Sequence, residues 1–338
     1  MKMTKVAVLG AGINGLACAV KIKEKYPDVD VTIFSNDFTP NTTGDGSGGL
    51  WNPYLCGNTP KDLLTKWGIE TFQYLHKLWK EGGYDICLMP MYELIRKERE
   101  LPQHSWANQV FGYRTMGQKQ LDFLSRFGVK YVAGRTFTTF VVYPPTILAH
   151  LYDRFNKANG NVVQAKLSSL EDPRLQDYDV VINCTGLGAR DLVPDTNVFP
   201  IRGHIMRMNA SWINYSVVDE DTGHYIIPNV NNCVIGGTHQ ENDYSYNLNE
   251  EDTKFITNGC QELIPGLKNA ELLRHWVGLR PGRNEIRLEA ENKDGKLYIH
   301  NYGHGGSGLT LFWGCSSDVL EIFEKHMKVE KQHVKSKL

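Results

Sequence analysis

No two of the seven cysteines stand at C-x-x-C spacing; they fall singly at positions 18, 56, 87, 184, 233, 260 and 315. An odd, scattered set points away from a disulfide scaffold and from a structural zinc site, and toward a reducing compartment. Charge of one sign is also lacking: 37 Lys and Arg against 38 Asp and Glu give a net charge of -1. That balance removes the electrostatic case for nucleic acid or an acidic membrane as the main partner. No apolar run approaches the length of a membrane span, and MKMTKVAVLGAG enters a strand without a signal-peptide pattern. Repeats, low-complexity stretches and long linkers are missing too, and nothing suggests a metal site. These exclusions leave a 338-residue chain able to bury two interleaved domains, one for a nucleotide and one for a small-molecule substrate.

What is present begins with VAVLGAGINGLACAV at residues 6–20. Val6 to Leu9 reads as a buried strand, Gly10, Gly12 and Gly15 stand at G-x-G-x-x-G spacing, and helical periodicity runs from Leu16 to Lys25. In that context Gly10 permits the tight turn, Gly12 admits a pyrophosphate close to the backbone, and Gly15 lets the helix pack on the strand. Free N–H groups at the helix start face the phosphates. The second strand, VTIF at 31–34, leads into SND, where an acidic ribose partner is expected; Asp37, with Asn36 beside it, is the candidate.

Further along, FTPNTTGDGSGGLWNPYL at 38–55 is a loop rich in backbone and hydroxyl donors. Residues 60–80 read as helix, 85–95 and 130–143 as strands, and 146–160 as an amphipathic helix closed by Gly160. DYDVVINCTGLGAR at 177–190 is a buried strand that belongs beside the first in one parallel sheet. Alternation between 199 and 240 predicts antiparallel strands of a second sheet, and GHGGSGLT near the end is another Gly-rich turn feeding a helix.

Taken together, VLGAGINGL, FTPNTTGD, GGLWNPYL, VINCTGLG, FPIRGHI, GGTHQ, VGLRPGRNEIRLE and HNYGHGGSGLTLFWGC resemble the D-amino-acid oxidase and D-aspartate oxidase family of flavoproteins, collinearly from about residue 5 to 320. The resemblance implies an α/β fold: an FAD-binding Rossmann-like domain (1–55, 145–195 and 288–330) interleaved with an α+β substrate domain on a mixed sheet (56–144 and 196–287), then a flexible tail, 331–338. It implies FAD as cofactor, with the pyrophosphate at Gly10, Gly12 and Gly15 and the ribose at Asn36 or Asp37. Further FAD contacts are implied at Ile13, Asn14, Thr42, Thr43, Gly48, Gly49, Leu50, Leu167, Thr185, Gly186, Gly305, Gly306, Gly308, Leu309 and Thr310. Asn36 stands where the family usually carries an acid.

By the same resemblance the chain oxidises a D-amino acid, with dioxygen as acceptor, to a 2-oxo acid, ammonia and hydrogen peroxide. Arg280 would clamp the α-carboxylate, since a guanidinium grips it through two parallel hydrogen bonds as an ammonium cannot. Tyr225 supplements the clamp, and the carbonyl of Gly306 accepts from the substrate amine. Tyr54 and Trp51 either line the pocket or belong to the core. No side chain is needed as general base.

Whether the substrate is acidic or neutral turns on a cation for a second carboxylate. Val218 and His239 stand where the aspartate-oxidising branch carries arginines, and His239 and His224 are the remaining candidates. Asp219, Glu220 and Asp221 form an acidic run that either repels acidic substrates or is a solvated turn. The expectation is a D-amino-acid oxidase of neutral or broad specificity. The alternatives are a D-aspartate oxidase, a glycine- or sarcosine-type amine oxidase, and a non-catalytic scaffold, against which Arg280 and GHGGSGLT argue. Ser336-Lys337-Leu338 matches the peroxisomal matrix address read by an import receptor. The expected partners are thus a small D-amino acid, dioxygen and that receptor, with no nucleic acid or membrane and with room for a homo-oligomer.

Overall fold

The computed structural model describes residues 3–125 and 128–336. In chain order the first half comprises β1 (Lys5–Leu9), α1 (Ile13–Lys25), β2 (Asp30–Ser35), α2 (Lys61–Glu81), β3 (Ile86–Ile95), β4 (Phe111–Thr115), α3 (Gln118–Leu124), β5 (Ala133–Val142), α4 (Pro144–Lys157) and β6 (Asn161–Gln164). There follow β7 (Val180–Asn183), α5 (Ala189–Leu192), β8 (Phe199–Asn209), β9 (Ser216–Asp219), β10 (Tyr225–Pro228), β11 (Cys233–Gly236), β12 (Gln240–Glu241), α6 (Glu250–Leu263), β13 (Glu271–Gly282), β14 (Arg287–Lys293), β15 (Lys296–Tyr302) and α7 (Gly308–Ser336).

Two sheets organise these elements. The six-stranded sheet runs β14-β15-β7-β1-β2-β6, and all its pairs are parallel except β14 with β15. Its central strands are apolar on both faces because both are covered, which the run KVAVL in β1 displays. β7 lies directly against β1, as the VVIN run predicts. Helices α1, α4 and α7 pack together, and α2 joins them through α7. Phe72, Tyr74, Leu75 and Leu78 of α2 therefore share one core with Val6, Val8 and Leu16, although the sequence groups α2 with the substrate part.

The second sheet has nine strands, β12-β8-β11-β10-β9-β3-β5-β4 with β13 added along β8. Directly paired residues share a face, so the register draws one rung across it. That rung is Arg135, Glu93, Val218, Tyr225, Gly236, Ile205 and Trp276. The opposite face carries Leu94, Val217, Ile226, Ile235 and Met206, which bury against Ile256 and Cys260 of α6. One face packs against α6, and the rung face buries Ile205, Ile227 and Val234 in a smaller cluster that Tyr225 and Trp276 border.

At the C-terminus the tail expected to be flexible from 331 continues α7 to Ser336. Between Cys315 and Leu338 there is neither Gly nor Pro, so nothing in that stretch breaks the helix. Lys337 and Leu338, two of the three residues of the peroxisomal motif, lie outside the described residues. No described helix is long and apolar enough to cross a membrane.

Candidate active site

The glycine turn between β1 and α1 shows the tight turn at Gly10 and the close helix packing at Gly15 that its spacing predicts. Gly10 has φ +98°, and a Cβ there would come within 2.6 Å of the Cys184 carbonyl oxygen. A Cβ on Gly15 would lie 1.9 Å from the Gly10 carbonyl oxygen, whereas one on Gly12 meets nothing within 4 Å. The first and third glycines are thus fixed by packing and the middle one by an open side. Gly12 caps α1 without a side-chain hydrogen bond, and the N–H groups of Ile13, Asn14 and Gly15 precede the first intrahelical bond, from Leu16 to Gly12.

A second helix start converges on the first. Gly308 opens α7, and a Cβ there would stand 3.7 Å from Ile13 Cγ2 and 3.9 Å from Asn14 Nδ2. Asn14 Nδ2 donates to His304 Nδ1 at 3.5 Å, and burial pushes the His304 imidazole down to about 4, so it is neutral and carries its proton on Nε2. That Nε2 and the Asn14 Oδ1 are both buried without a partner among the described residues. An unspent donor and an unspent acceptor at the meeting of two helix N-termini form a seat for a polar, anionic group.

The rest of the seat is pinned around this junction. Ser307 Oγ donates to the Tyr54 carbonyl at 2.7 Å, Thr310 Oγ1 donates to the Asn52 carbonyl at 3.2 Å, and the Gly305 N–H donates to the Pro281 carbonyl at 2.8 Å. Gly305 has φ +53° and Gly186 +56°, and Leu309 and Thr310 are buried. Thr185 is tied to Asn183, its Oγ1 donating to Asn183 Oδ1 at 2.7 Å. Thr42 is a structural cap too: its N–H and Oγ1 both donate to Asp45, at 2.9 and 2.7 Å. Thr43 follows it near Gly278 of β13, Gly48 abuts Ile227 of β10, and Gly49 and Leu50 run along β5, where the Val142 N–H donates to the Gly49 carbonyl at 2.9 Å. Asn36 and Asp37 stand exposed past β2, Asn36 Nδ2 donating to Asp37 Oδ2 at 3.1 Å, and Leu167 is half-buried under the same edge.

On the rung face of the larger sheet the guanidinium of Arg280 lies flat over Gly203, where a Cβ would come within 2.3 Å of Cζ, Nη1 and Nη2. Its Nη1 donates to the Thr238 carbonyl at 3.2 Å, and among the described residues it has no carboxylate partner. The Tyr225 ring is fitted the same way over Gly236 and Gly237, whose added Cβ atoms would lie within 2.6 Å of the ring or its hydroxyl. Burial raises the Tyr225 phenol, and the neighbouring Arg280 charge opposes that rise. Tyr54 covers Gly306, where a Cβ would sit 2.5 Å from its Cδ1; it is 45% exposed, and its phenol is raised by burial and lowered by Arg280. Gly203, Gly236 and Gly237 escaped the sequence reading as parts of the clamp. For Gly203 and Gly236 the signal was glycine inside a strand, the mark of close backbone or ring approach.

Other expectations are corrected or resolved. Trp51 belongs to the core: it is 1% exposed, its Nε1 donates to the Gly68 carbonyl at 3.2 Å, and its ring meets Phe72 and Trp106 edge-on. His224 is structural, its Nε2 3.0 Å from the Phe255 carbonyl and its ring filling the space over Gly259. His239 is exposed and turns to Glu241, 3.4 Å away, rather than to the Arg280 cluster. The acidic run is not a free field, because Arg96 Nε donates to Asp219 at 2.5 Å and Arg99 Nη1 to Asp221 at 2.7 Å.

A glycine-built turn between a parallel strand and a helix, with a second helix start converging on it, defines a class, an oxidoreductase that carries its own nucleotide cofactor. Residues 5–321 match the model of the FAD dependent oxidoreductase family, and the chain belongs to that family; its cofactor is FAD. A D-amino acid oxidase from Dugesia ryukyuensis is 38% identical over 333 residues, covering 94% of this chain and 96% of that protein. A D-aspartate oxidase from Homo sapiens is 32% identical over 329 residues, with 95% of each covered. In overall fold the chain is similar to an L-alpha-glycerophosphate oxidase from Mycoplasma pneumoniae with FAD bound, at a TM-score of 0.79, 16% identity, and 96% and 95% coverage.

Proposed function

We propose that this protein oxidises neutral and other non-acidic D-amino acids with FAD and dioxygen, giving 2-oxo acid, ammonia and hydrogen peroxide. The observation that carries the reading is Arg280, laid over Gly203 beside Tyr225 with no carboxylate of its own among the described residues. A cation held in that state is a receptor for the α-carboxylate, bound through two parallel hydrogen bonds with the Tyr225 hydroxyl adding a third. The Gly306 carbonyl accepts from the substrate amine, and Tyr54 closes over both. These contacts, with the side chain as the remaining point, fix which hydrogen of the α-carbon faces inward, and alignment does the work that a base would otherwise do.

FAD supplies the hydride acceptor when bound. Gly10, Gly12 and Gly15 with the α1 start would hold its pyrophosphate, Asn36 or Asp37 its ribose, and the α7 start at Gly308, Leu309 and Thr310 lends positive potential for the charge of the reduced ring. Asn14 Oδ1 and His304 Nε2 are the buried polar atoms left for it.

The two relatives divide between D-amino acid and D-aspartate oxidases. Two features favour the non-acidic substrate: Val218, opposite Tyr225 across the strand pair, is apolar, and His239 is engaged by Glu241. The test is anaerobic mixing of the yellow holoenzyme with D- and L-alanine: D-alanine is expected to bleach the flavin absorbance and L-alanine to leave it. Equal bleaching by both, or by neither, overturns the reading. D-aspartate outpacing every neutral substrate would favour the aspartate branch.

The motif Ser336-Lys337-Leu338 supports a peroxisomal address for this peroxide-forming activity. Deleting those three residues from the full chain is expected to shift a fluorescent fusion from puncta to the cytosol, and unchanged puncta would refute it.

A further inference from the structure

Resting on that reading, we infer that Glu220 selects the substrate's side chain and favours D-amino acids whose side chain ends in a cation, an ammonium or a guanidinium. Glu220 lies two residues beyond Val218, and its N–H donates to the Leu94 carbonyl at 3.0 Å, which prolongs the pairing of β9 with β3. Alternation therefore turns its side chain to the same face as Val218, Glu93 and Tyr225. Its charge is felt by the Tyr54 phenol, the group that also feels Arg280 and Tyr225. The carboxylate clamp and Glu220 thus flank the same tyrosine.

The charges around Glu220 are already matched. Arg135 Nη1 donates to Glu93 at 3.2 Å, His104 Nε2 lies 3.1 Å from the same carboxylate oxygen, Arg99 is held by Asp221 and Arg96 by Asp219. Of the three acids in the run, Glu220 alone has no hydrogen bond or ion pair from its carboxylate among the described residues, and it is exposed. Partial desolvation of its carboxyl and then the nearby Glu93 raise its pKa against the opposing charges of Arg99, His104 and Arg135, and because those three are hydrogen-bonded to Asp221 and Glu93, its ionised form has no cation bonded to it directly. A ligand cation supplies one, whereas an acidic side chain meets repulsion at the same place.

The experiment compares kcat/KM of the holoenzyme on D-lysine with that on D-norleucine, which keeps the aliphatic stem and loses the charge. In Glu220→Gln the D-lysine to D-norleucine ratio is expected to fall by about tenfold or more, the range of a charge-assisted hydrogen bond. Glu220→Asp is expected to keep part of the preference, and Glu220→Lys to raise D-glutamate relative to D-norleucine. A ratio unchanged in Glu220→Gln, with D-alanine still oxidised by the unaltered protein, overturns this inference alone. Failure of the unaltered holoenzyme on D-alanine and all other D-amino acids overturns the function reading and this one with it.

Discussion

Arg280→Leu is expected to lower kcat/KM on every D-amino acid by between about 10²-fold and 10³-fold while FAD stays bound, the cost of removing one member of a desolvated charge pair. The prediction separates substrate grip from cofactor binding, because Arg280 sits on the rung face of the larger sheet, whereas the Gly10, Gly12 and Gly15 turn that would hold the FAD pyrophosphate follows β1 of the other sheet. Leucine is smaller than the side chain it replaces, and retained FAD content in the variant marks the loss as lost recognition rather than misfolding. Arg280→Lys is expected to recover little, since an ammonium is a point charge that cannot span both oxygens of the carboxylate. Oxygen uptake gives kcat/KM, and the ratio of absorbance at the flavin band to that of the protein gives FAD content. Unchanged uptake in the leucine variant would remove the clamp; lost FAD would show that Arg280 holds the cofactor.

Why some of this site was legible in the sequence and some was not follows from the range of the interactions. The turn at Gly10, Gly12 and Gly15 is local, and each glycine's reason is met within the next strand or helix, so spacing alone carries it. β7 beside β1 and the antiparallel β8, β10 and β11 follow from apolar runs and alternation, which are also local. Pairing partners are not. Asp219 and Asp221 look like parts of one acidic block until Arg96 and Arg99, 123 and 122 residues away in the chain, neutralise them and leave Glu220 exposed. Trp51 reads equally as pocket or core because its burial is decided by α2, where Gly68 makes room for the indole. The glycines under Arg280 and Tyr225 depend on cross-strand register, which a single sequence does not print.

The sharpest test of the cofactor seat sets two neighbouring glycines against each other. Gly15→Ala is expected to lower the melting temperature of the FAD-free protein by on the order of 5 °C, as overpacking at a site that cannot yield does. Its Cβ would stand 1.9 Å from the Gly10 carbonyl oxygen, and Gly10 is held in place, its N–H donating to the Phe34 carbonyl at 2.8 Å. Gly12→Ala is expected to leave that melting temperature in place, because φ is -71° and the added methyl meets nothing within 4 Å. It should nevertheless lose FAD, since the open side of Gly12 is where backbone must face the pyrophosphate. Thermal melts of apoprotein and flavin content of freshly purified enzyme read the two effects apart. A Gly12→Ala enzyme that stays fully yellow would mean that the phosphates do not lie against this turn.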